Sequence, residues 1–294
     1  MPRRAARAYG GAPVPDSPRR PGRRHHRHRA APLGRQPCVT QARATARTAG
    51  EISVSTLELS QDGPVLQVWL NRPDSLNALD DATLTDIAEV FDGAARRFDL
   101  KAIVLGGRGR SFCAGADLKN PPGRGGTGER ERRWRSQIGD RACRAIADCE
   151  VVTIARLHGH VFGGGFALAL SCDFRVATET TSFALPEVDL GIPMTWGAVP
   201  RLIAEVGASR AREIVMLCDR FDAATAHRIG LVHRVVSDAE LDDAVAALAG
   251  QLVAKPERAL DVSKSQFRAY SNSLGDATLS DGDYFREGIA AHRL

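Results

Sequence analysis

The sequence predicts an α/β fold with parallel strand pairing. Short apolar runs alternate with segments whose apolar residues recur every three or four positions, which is typical of strands alternating with helices. The strand runs are apolar at successive positions, as expected for strands that helices cover on both faces. With 294 residues, 43% of them hydrophobic, the chain can bury a substantial core. No apolar run approaches the ~18–20 residues that span a bilayer, so we expect no membrane association.

The first predicted elements follow the order strand, helix, strand. Val65–Leu70 is a strand candidate that ends before a turn containing proline. Asp80 or Asp81 can cap a helix, which the apolar spacing extends to about Phe98. Ala102–Leu105 is short and wholly apolar, which predicts the next strand.

The middle of the chain continues the alternation. Glycine and proline dominate residues 121–130, which predicts a mobile loop. A helix is expected over 130–148 and another over Phe162–Cys172. Between and after them, Val151–Ala155 and Phe174–Ala177 are predicted strands.

Charge separates an N-terminal extension from the body of the protein. Residues 1–50 hold twelve arginines and one acid, Asp16, a formal charge of +11; the total of +5 therefore leaves −6 to the other 244 residues. This extension lacks large apolar residues and is predicted to be disordered. An arm that binds phosphates through Arg19–Arg29, a transit peptide and an unselected extension are the alternatives, and we favour the last. The acidic body gives no reason to expect nucleic-acid binding.

Three regions follow from these patterns. Residues 1–50 form the extension, 51–205 the α/β core with the ligand site, and 206–294 a helical C-terminal region. In the last region strands become rare. Helices are predicted there over Ala208–Cys218, Ala223–Ile229, Asp238–Leu252 and Pro256–Tyr270.

The six cysteines have no pattern of a metal site or disulfide framework. No pair has CxxC spacing, which favours buried free thiols in a reducing compartment. We therefore expect a cytoplasmic protein that binds no metal.

Two glycine-containing turns are candidates for a ligand site. The first lies in Ser111–Lys119, and the second, with three successive glycines, lies in His158–Leu168. Neither has the spacing of a nucleotide-binding loop. Glycines ahead of an apolar helix allow a ligand close to the backbone and leave N–H groups free for an anion.

Taken in order, these turns and several flanking motifs resemble the enoyl-CoA hydratase/isomerase (crotonase) family over about residues 55–290. The motifs that carry the resemblance are Asn71-Arg72-Pro73, Leu76-Asn77-Ala78-Leu79, Phe112, Ala114–Lys119, His158-Gly159, Gly163–Gly165, Cys172-Asp173, Pro186-Glu187 with Gly191, Arg201-Leu202 and Ala223–Val232.

The resemblance implies a crotonase-like spiral of ββα units with a helical C-terminal trimerisation region, assembled as a trimer or a dimer of trimers. It implies an acyl-CoA substrate and no separate cofactor, because coenzyme A is part of the substrate. The oxyanion hole for the thioester oxygen would be formed by the backbone N–H groups of Ala116 and Gly164. Residues implied in substrate or CoA binding are Ser75, Leu76, Ala78, Ala114, Asp117, Leu118, Lys119 and Gly163.

The carboxylates at the matching positions point to one reaction of the family. Hydratases of the family use two glutamates twenty residues apart; here the second is Glu187, but the first is Ala167. The extra acid of dienoyl-CoA isomerases is also missing, because its position is Thr195. A single carboxylate suffices to shift a double bond from position 3 to position 2 of an acyl-CoA. Two alternatives stay open: a hydratase or another lyase that uses a second acid such as Asp189 or an acid of a loop, and a non-catalytic acyl-CoA binding protein.

Overall fold

The computed structural model describes residues 52–54, 56–273 and 283, so the predicted N-terminal extension lies outside the described residues. Two sheets and eight helices make up this part of the chain. The strands are β1 Ile52–Val54, β2 Leu57–Asp62, β3 Val65–Leu70, β4 Ala102–Gly107, β5 Val152–Leu157, β6 His160–Phe162, β7 Phe174–Thr178, β8 Ser182–Ala184, β9 Phe221–Asp222 and β10 Arg234–Val236. The helices are α1 Asp81–Ala94, α2 Glu129–Ser136, α3 Ile138–Asp148, α4 Gly164–Ser171, α5 Ala198–Leu217, α6 Ala223–Arg228, α7 Leu241–Val253 and α8 Glu257–Ser273.

The larger sheet has the strand order β1-β2-β3-β4-β5-β7-β10. The five strands from β3 to β10 pair in parallel, as the sequence predicts. The first three pair antiparallel, and the sequence analysis did not include β1 or β2. Only two residues, Gly63 and Pro64, join β2 to β3, and such a short connection is possible only between antiparallel neighbours.

A smaller sheet of order β6-β8-β9 arises from repeated ββα units. In the unit β5-β6-α4, the first strand joins the larger sheet and the second joins the smaller one; the unit β7-β8-α5 does the same. The repetition brings the end of β6 and the start of α4 together at Gly163.

The core lies on both faces of the larger sheet. On β4, Ile103 and Leu105 pack into a cluster with Phe91 of α1, while Val104 packs into a second cluster with Leu248 of α7. Alternate residues of one strand thus contact different helix layers. This double coverage is the reason why the strand is apolar at every position, and it confirms the predicted parallel α/β arrangement.

Several predicted helices have different bounds in the structure: α4 starts at Gly164 and not at Phe162, α5 at Ala198 and not at Ala208, and α7 at Leu241 and not at Asp238. Two further differences have a physical cause. Asp80 caps α1 as predicted, with its side chain accepting the Thr83 N–H at 2.8 Å, but the helix ends at Ala94 and not at Phe98. Phe98 is 90% exposed, so no burial rewards extending the helix to it. The predicted helix over 130–148 is divided at Gln137, whose φ of −91° and ψ of 7° separate α2 from α3.

Helices dominate the C-terminal part, as predicted. The long α5 is interrupted at Gly207, where φ is 77° and ψ is 157°. Buried Lys264 of α8 contacts the edge of the core, since its Nζ lies 2.7 Å from Asp173 Oδ2 and 2.7 Å from the Val151 carbonyl oxygen. The division at residues 50 and 205 stays a prediction. In the described part of the chain, no helix is long and apolar enough to cross a membrane.

The packing of α1 predicts unequal effects for two phenylalanines. Phe91→Ala should lower the free energy of unfolding by about 3–5 kcal/mol, because the fully buried ring leaves a cavity. Phe98→Ala is the matched control and should change it by about 0.5 kcal/mol or less. Urea unfolding of both variants measures the difference; equal losses would contradict the placement of the two rings.

Candidate active site

The loop after β3 is shaped by two residues with left-handed backbone conformation. Leu76 has φ of 54° and Asn77 has φ of 56°. The buried Asn77 side chain accepts the Arg72 N–H at 2.9 Å, and its amide group donates to the carbonyl oxygens of Ser111 and Phe112 at 2.9 and 3.1 Å. Asparagine tolerates this conformation better than most residues. It thereby fastens the loop after β3 to the loop after β4.

The segment 114–117 runs alongside 76–79 in parallel register. Ala114 N–H donates to Leu76 O at 3.0 Å, Leu79 N–H donates to Gly115 O at 2.9 Å, and Asp117 N–H donates to Leu79 O at 2.8 Å. In this ladder Ala116 is the residue directly paired with Leu79. Its own N–H therefore faces away from Leu79 and has no backbone acceptor among the described residues.

The glycine triplet connects β6 to α4 and lies close to this segment. Gly163 has φ of 49°, and Gly164 is the first residue of α4, so its N–H has no acceptor within the helix. A methyl group on Gly115 would lie 3.2 Å from Phe162 O and 3.8 Å from the Gly163 Cα atom. The two glycine-containing turns predicted from the sequence are therefore in contact.

Leu79 contacts both predicted N–H donors. Its backbone pairs with Ala116, and its Cδ1 atom would lie 3.2 Å from a methyl group placed on Gly164. On the Gly164 side the indole ring of Trp196 is closer, at 2.2 Å from such a methyl group. No residue larger than glycine fits at position 164 without displacing Trp196.

Glu187 lies next to the glycine triplet. A methyl group on Gly163 would be 2.7 Å from Glu187 Oε1. The residue retains partial exposure, but its Oε2 is buried and has no hydrogen-bond partner among the described residues. Burial raises the pKa of this carboxyl from 4.5 to about 7. A desolvated carboxyl with a free oxygen and a pKa near neutrality is suited to transferring protons.

Three other positions decide whether a second acid is available: 167, 195 and 189. Ala167 is fully buried in the first turn of α4, and Thr195 is also buried. Asp189 is exposed in the turn 187–191. The turn forms because Glu187 O accepts N–H groups at 3.0–3.1 Å from two following residues, which closes the chain on itself.

The residues predicted to bind CoA lie on both sides of the 76–79 and 114–117 ladder. Leu118 and Lys119 are exposed, Leu118 at 83%. Asp117 is buried, and its carboxylate is engaged by protein groups, including Arg72 at 2.8 Å. The remaining predicted residues are Ser75, Leu76, Ala78 and Ala114, all partly exposed, and Gly163, which is buried.

Two contacts in this geometry were not predicted from the sequence. Arg72 was noticed only as part of a motif, yet its guanidinium contacts both segments of the ladder. The indole of Trp196 lies between Gly139 of α3 and Gly164, which are 25 positions apart. A tryptophan two residues before a helix does not indicate which residues its ring will contact. The available indication in the sequence was the two glycines, which leave room for the ring.

The cysteines within the described residues are buried, as expected. All five within the described residues are free and buried, and burial raises the pKa of Cys113 and Cys172 to about 12. Among those described residues, no group of three or more His, Cys, Asp or Glu side chains is arranged to hold a metal ion.

Two adjoining glycine turns, each with an N–H that has no backbone acceptor among the described residues, and a desolvated carboxyl beside them thus lie together in this fold. The chain belongs to the enoyl-CoA hydratase/isomerase family, whose model matches residues 60–287. The resemblance inferred from the motifs is confirmed, as is the crotonase fold.

Curated relatives and solved structures agree with this membership. The chain is 37% identical to the carnitinyl-CoA dehydratase of Salmonella paratyphi A over 239 residues, which cover 81% of this chain and 88% of that protein. An enoyl-CoA hydratase from Mycobacterium avium subsp. paratuberculosis superposes with a TM-score of 0.74 at 29% identity, covering 81% and 95% of the two chains. A structure described as a putative enoyl-CoA hydratase from Thermobifida fusca, in complex with acetoacetyl-CoA, gives 0.68 at 29% identity, covering 82% and 95%.

The raised pKa of Glu187 predicts a pH-dependent stability. Because the folded state binds this proton more tightly than a carboxyl of pKa 4.5, ionisation opposes folding as the pH rises from 4.5 to about 7. Wild type should lose unfolding free energy relative to Glu187→Gln over this range, by about 1.4 kcal/mol per unit of pKa difference.

Urea unfolding at pH values below and above this range measures the effect. Asp189→Asn is the control for removing a carboxylate from the same turn. Identical pH dependence in wild type and Glu187→Gln would contradict a desolvated, proton-binding carboxyl at position 187.

Proposed function

We propose that the protein is an acyl-CoA isomerase that moves a double bond from position 3 to position 2 of an enoyl-CoA. The observation that carries this proposal is the Glu187 carboxyl, which is desolvated, has a free oxygen and lies against Gly163, while Ala167 supplies no second acid. One carboxyl can both remove and return a proton, and no water has to be activated.

In the proposed reaction the thioester oxygen accepts hydrogen bonds from the N–H groups of Ala116 and Gly164. The Glu187 carboxylate takes a proton from C2, and the electron pair left behind delocalises over the double bond and onto the thioester oxygen. The resulting carboxylic acid then returns the proton to C4, which leaves the double bond between C2 and C3. Protons and electrons balance without an oxidant, a reductant or water.

Two features support this chemistry energetically. The Gly164 N–H lies at the N-terminus of α4, where the helix dipole favours negative charge, and fixed N–H donors need no reorganisation when the enolate forms. One such donor is typically worth about 3–4 kcal/mol. A base with a pKa near 7 also combines sufficient ionisation at neutral pH with sufficient proton affinity.

The binding partners are part of the same proposal. The similarity to a putative hydratase solved with acetoacetyl-CoA supports an acyl-CoA substrate. Coenzyme A would lie along the predicted 75–78 and 114–119 segments and arrive with the substrate, so the reaction requires no separate cofactor. Self-association as a trimer or dimer of trimers, through the helical C-terminal region, follows from the family resemblance.

A hydro-lyase is the second candidate, because the similar proteins carry the names dehydratase and enoyl-CoA hydratase. Adding or removing water at C3 requires a group that handles the hydroxyl as well as the proton at C2. Asp189, the candidate second acid, is exposed in the turn 187–191, and Ala167 offers no acid at the other family position. The structure therefore supports isomerisation better.

Glu187→Gln should reduce the conversion of 3-enoyl-CoA to 2-enoyl-CoA by about 10²–10⁴-fold, because it removes the group that carries the proton. Asp189→Asn, which removes a carboxylate two residues away, should retain the rate within about twofold. Product analysis by NMR with 3-enoyl-CoA and 2-enoyl-CoA supplied separately measures both reactions.

Three outcomes separate the hypotheses. Rapid hydration of 2-enoyl-CoA that survives Glu187→Gln would contradict the single-carboxylate mechanism. Hydration that is lost in Asp189→Asn would establish the hydro-lyase alternative. Tight binding of both thioesters without turnover would identify an acyl-CoA binding protein.

A further inference from the structure

The guanidinium group of Arg72 lies where the two segments of the ladder meet. Its Nη2 is 2.8 Å from Asp117 Oδ2, and its Nη1 is 3.3 Å from Asp80 Oδ2 and also donates to the Ala78 carbonyl oxygen. Ala78 and Asp80 flank Leu79, and Asp117 directly follows Ala116. One side chain therefore joins the residues on either side of the Leu79–Ala116 pair.

The Asp117 carboxylate is occupied on both oxygens. While Oδ2 faces Arg72, Oδ1 accepts the N–H groups of Lys119 at 2.9 Å and Asn120 at 3.2 Å. Burial opposes its ionisation, but the guanidinium and these two amides outweigh burial, so the pKa of Asp117 is lowered. An anionic, enclosed side chain is poorly suited to receiving the phosphates of coenzyme A, although the sequence placed Asp117 among the CoA-binding residues.

The consequence of these contacts falls on the peptide group between Gly115 and Ala116. Its carbonyl oxygen is held by the Leu79 N–H, and the next N–H along the chain, that of Asp117, is held by the Leu79 carbonyl oxygen. These two Leu79 bonds set the direction of the Ala116 N–H, and the second of them requires Asp117 to stay beside Leu79. Arg72 is the side chain that holds it there.

We propose that Arg72 is a positioning residue for the reaction, which aims the Ala116 N–H at the thioester oxygen by clamping Asp117 to Ala78 and Asp80. The proposal rests on the proposed function only in taking Ala116 as a donor to the thioester. Arg72 itself does not contact the substrate. Its planar fork reaches three acceptors at once, which the single ammonium of a lysine does not reproduce.

The variant Arg72→Met removes the clamp while keeping a long side chain, and Arg72→Lys keeps the charge but loses the fork. Lys264→Met is the matched control, because it breaks another part-buried ion pair, at 2.7 Å from Asp173, whose two residues belong to neither segment of the ladder. Its effects report what the loss of such a pair does to stability alone.

The decisive readout is the ¹³C chemical shift of the carbonyl in [1-¹³C]butanoyl-CoA, a saturated thioester that binds without a double bond to move. A donor aimed at the oxygen polarises the carbonyl and shifts its signal from the value in free butanoyl-CoA. We expect Arg72→Met to return the signal toward the free value and to lower kcat for 3-enoyl-CoA by about 10–100-fold, with KM changed less than about threefold.

Arg72→Lys should fall between wild type and Arg72→Met. Lys264→Met should keep the wild-type carbonyl signal and keep kcat within about twofold, even where its Tm falls as much as that of Arg72→Met. If Arg72→Met does not fold, Arg72→Lys supplies the same comparison.

The outcomes separate this inference from the proposed function. A shifted carbonyl in wild type that is unchanged in both Arg72 variants would overturn the positioning role and leave the proposed function intact. An unshifted carbonyl in wild type would reject Ala116 and Gly164 as donors, and the positioning role with them. Equal loss of signal in Lys264→Met would assign the effect to stability and overturn the role of Arg72.

Discussion

The register between the segments 76–79 and 114–117 is the constraint on which the rest of the site depends. A backbone N–H can bind an oxyanion only if its direction is fixed before the ligand arrives, because main-chain donors cannot rotate independently of the chain. Pairing with Leu79 fixes Ala116, and the side chain of the same leucine abuts Gly164. The two N–H groups that we propose as donors therefore both lie against Leu79.

The glycine at position 163 and the desolvated carboxyl of Glu187 belong to the same contact. The carboxyl approaches the backbone closely because position 163 has no side chain, and burial raises the pKa of the same carboxyl to about 7. Burying an isolated carboxylate costs free energy, so the pKa of the buried group rises. Packing in this fold thereby changes the acid–base behaviour of Glu187. Because position 167 is alanine, no second acid at that position shares the proton.

The sequence predicted most of the framework and the central site residues, and physical reasons account for the remainder. Strand β3 was predicted with its observed bounds, because its mostly apolar run stops at the turn Asn71-Arg72-Pro73. The three-residue strands β6 and β8 were not predicted. They are strands because they pair with each other, and their own short sequences carry no strand pattern. Glu187 followed from its motif, but its unpartnered oxygen depends on the turn 187–191. The contact from Arg72 to Asp117 joins residues 45 positions apart, which no local pattern encodes.

Because the Trp196 indole packs against Gly164, its intrinsic fluorescence can report on the surroundings of Gly164. The chain has three tryptophans. Trp69 lies beneath the Arg108 guanidinium at 4.1 Å, and Trp134 is 59% exposed and packs against the Arg141 guanidinium. Of the three, only Trp196 touches Gly164, one of the two residues whose N–H groups we propose as donors. Indole emission responds to nearby charge and polarity. The arrival of a thioester at Gly164 should therefore change the intrinsic fluorescence mainly through Trp196, so that occupancy can be followed in the unlabelled protein.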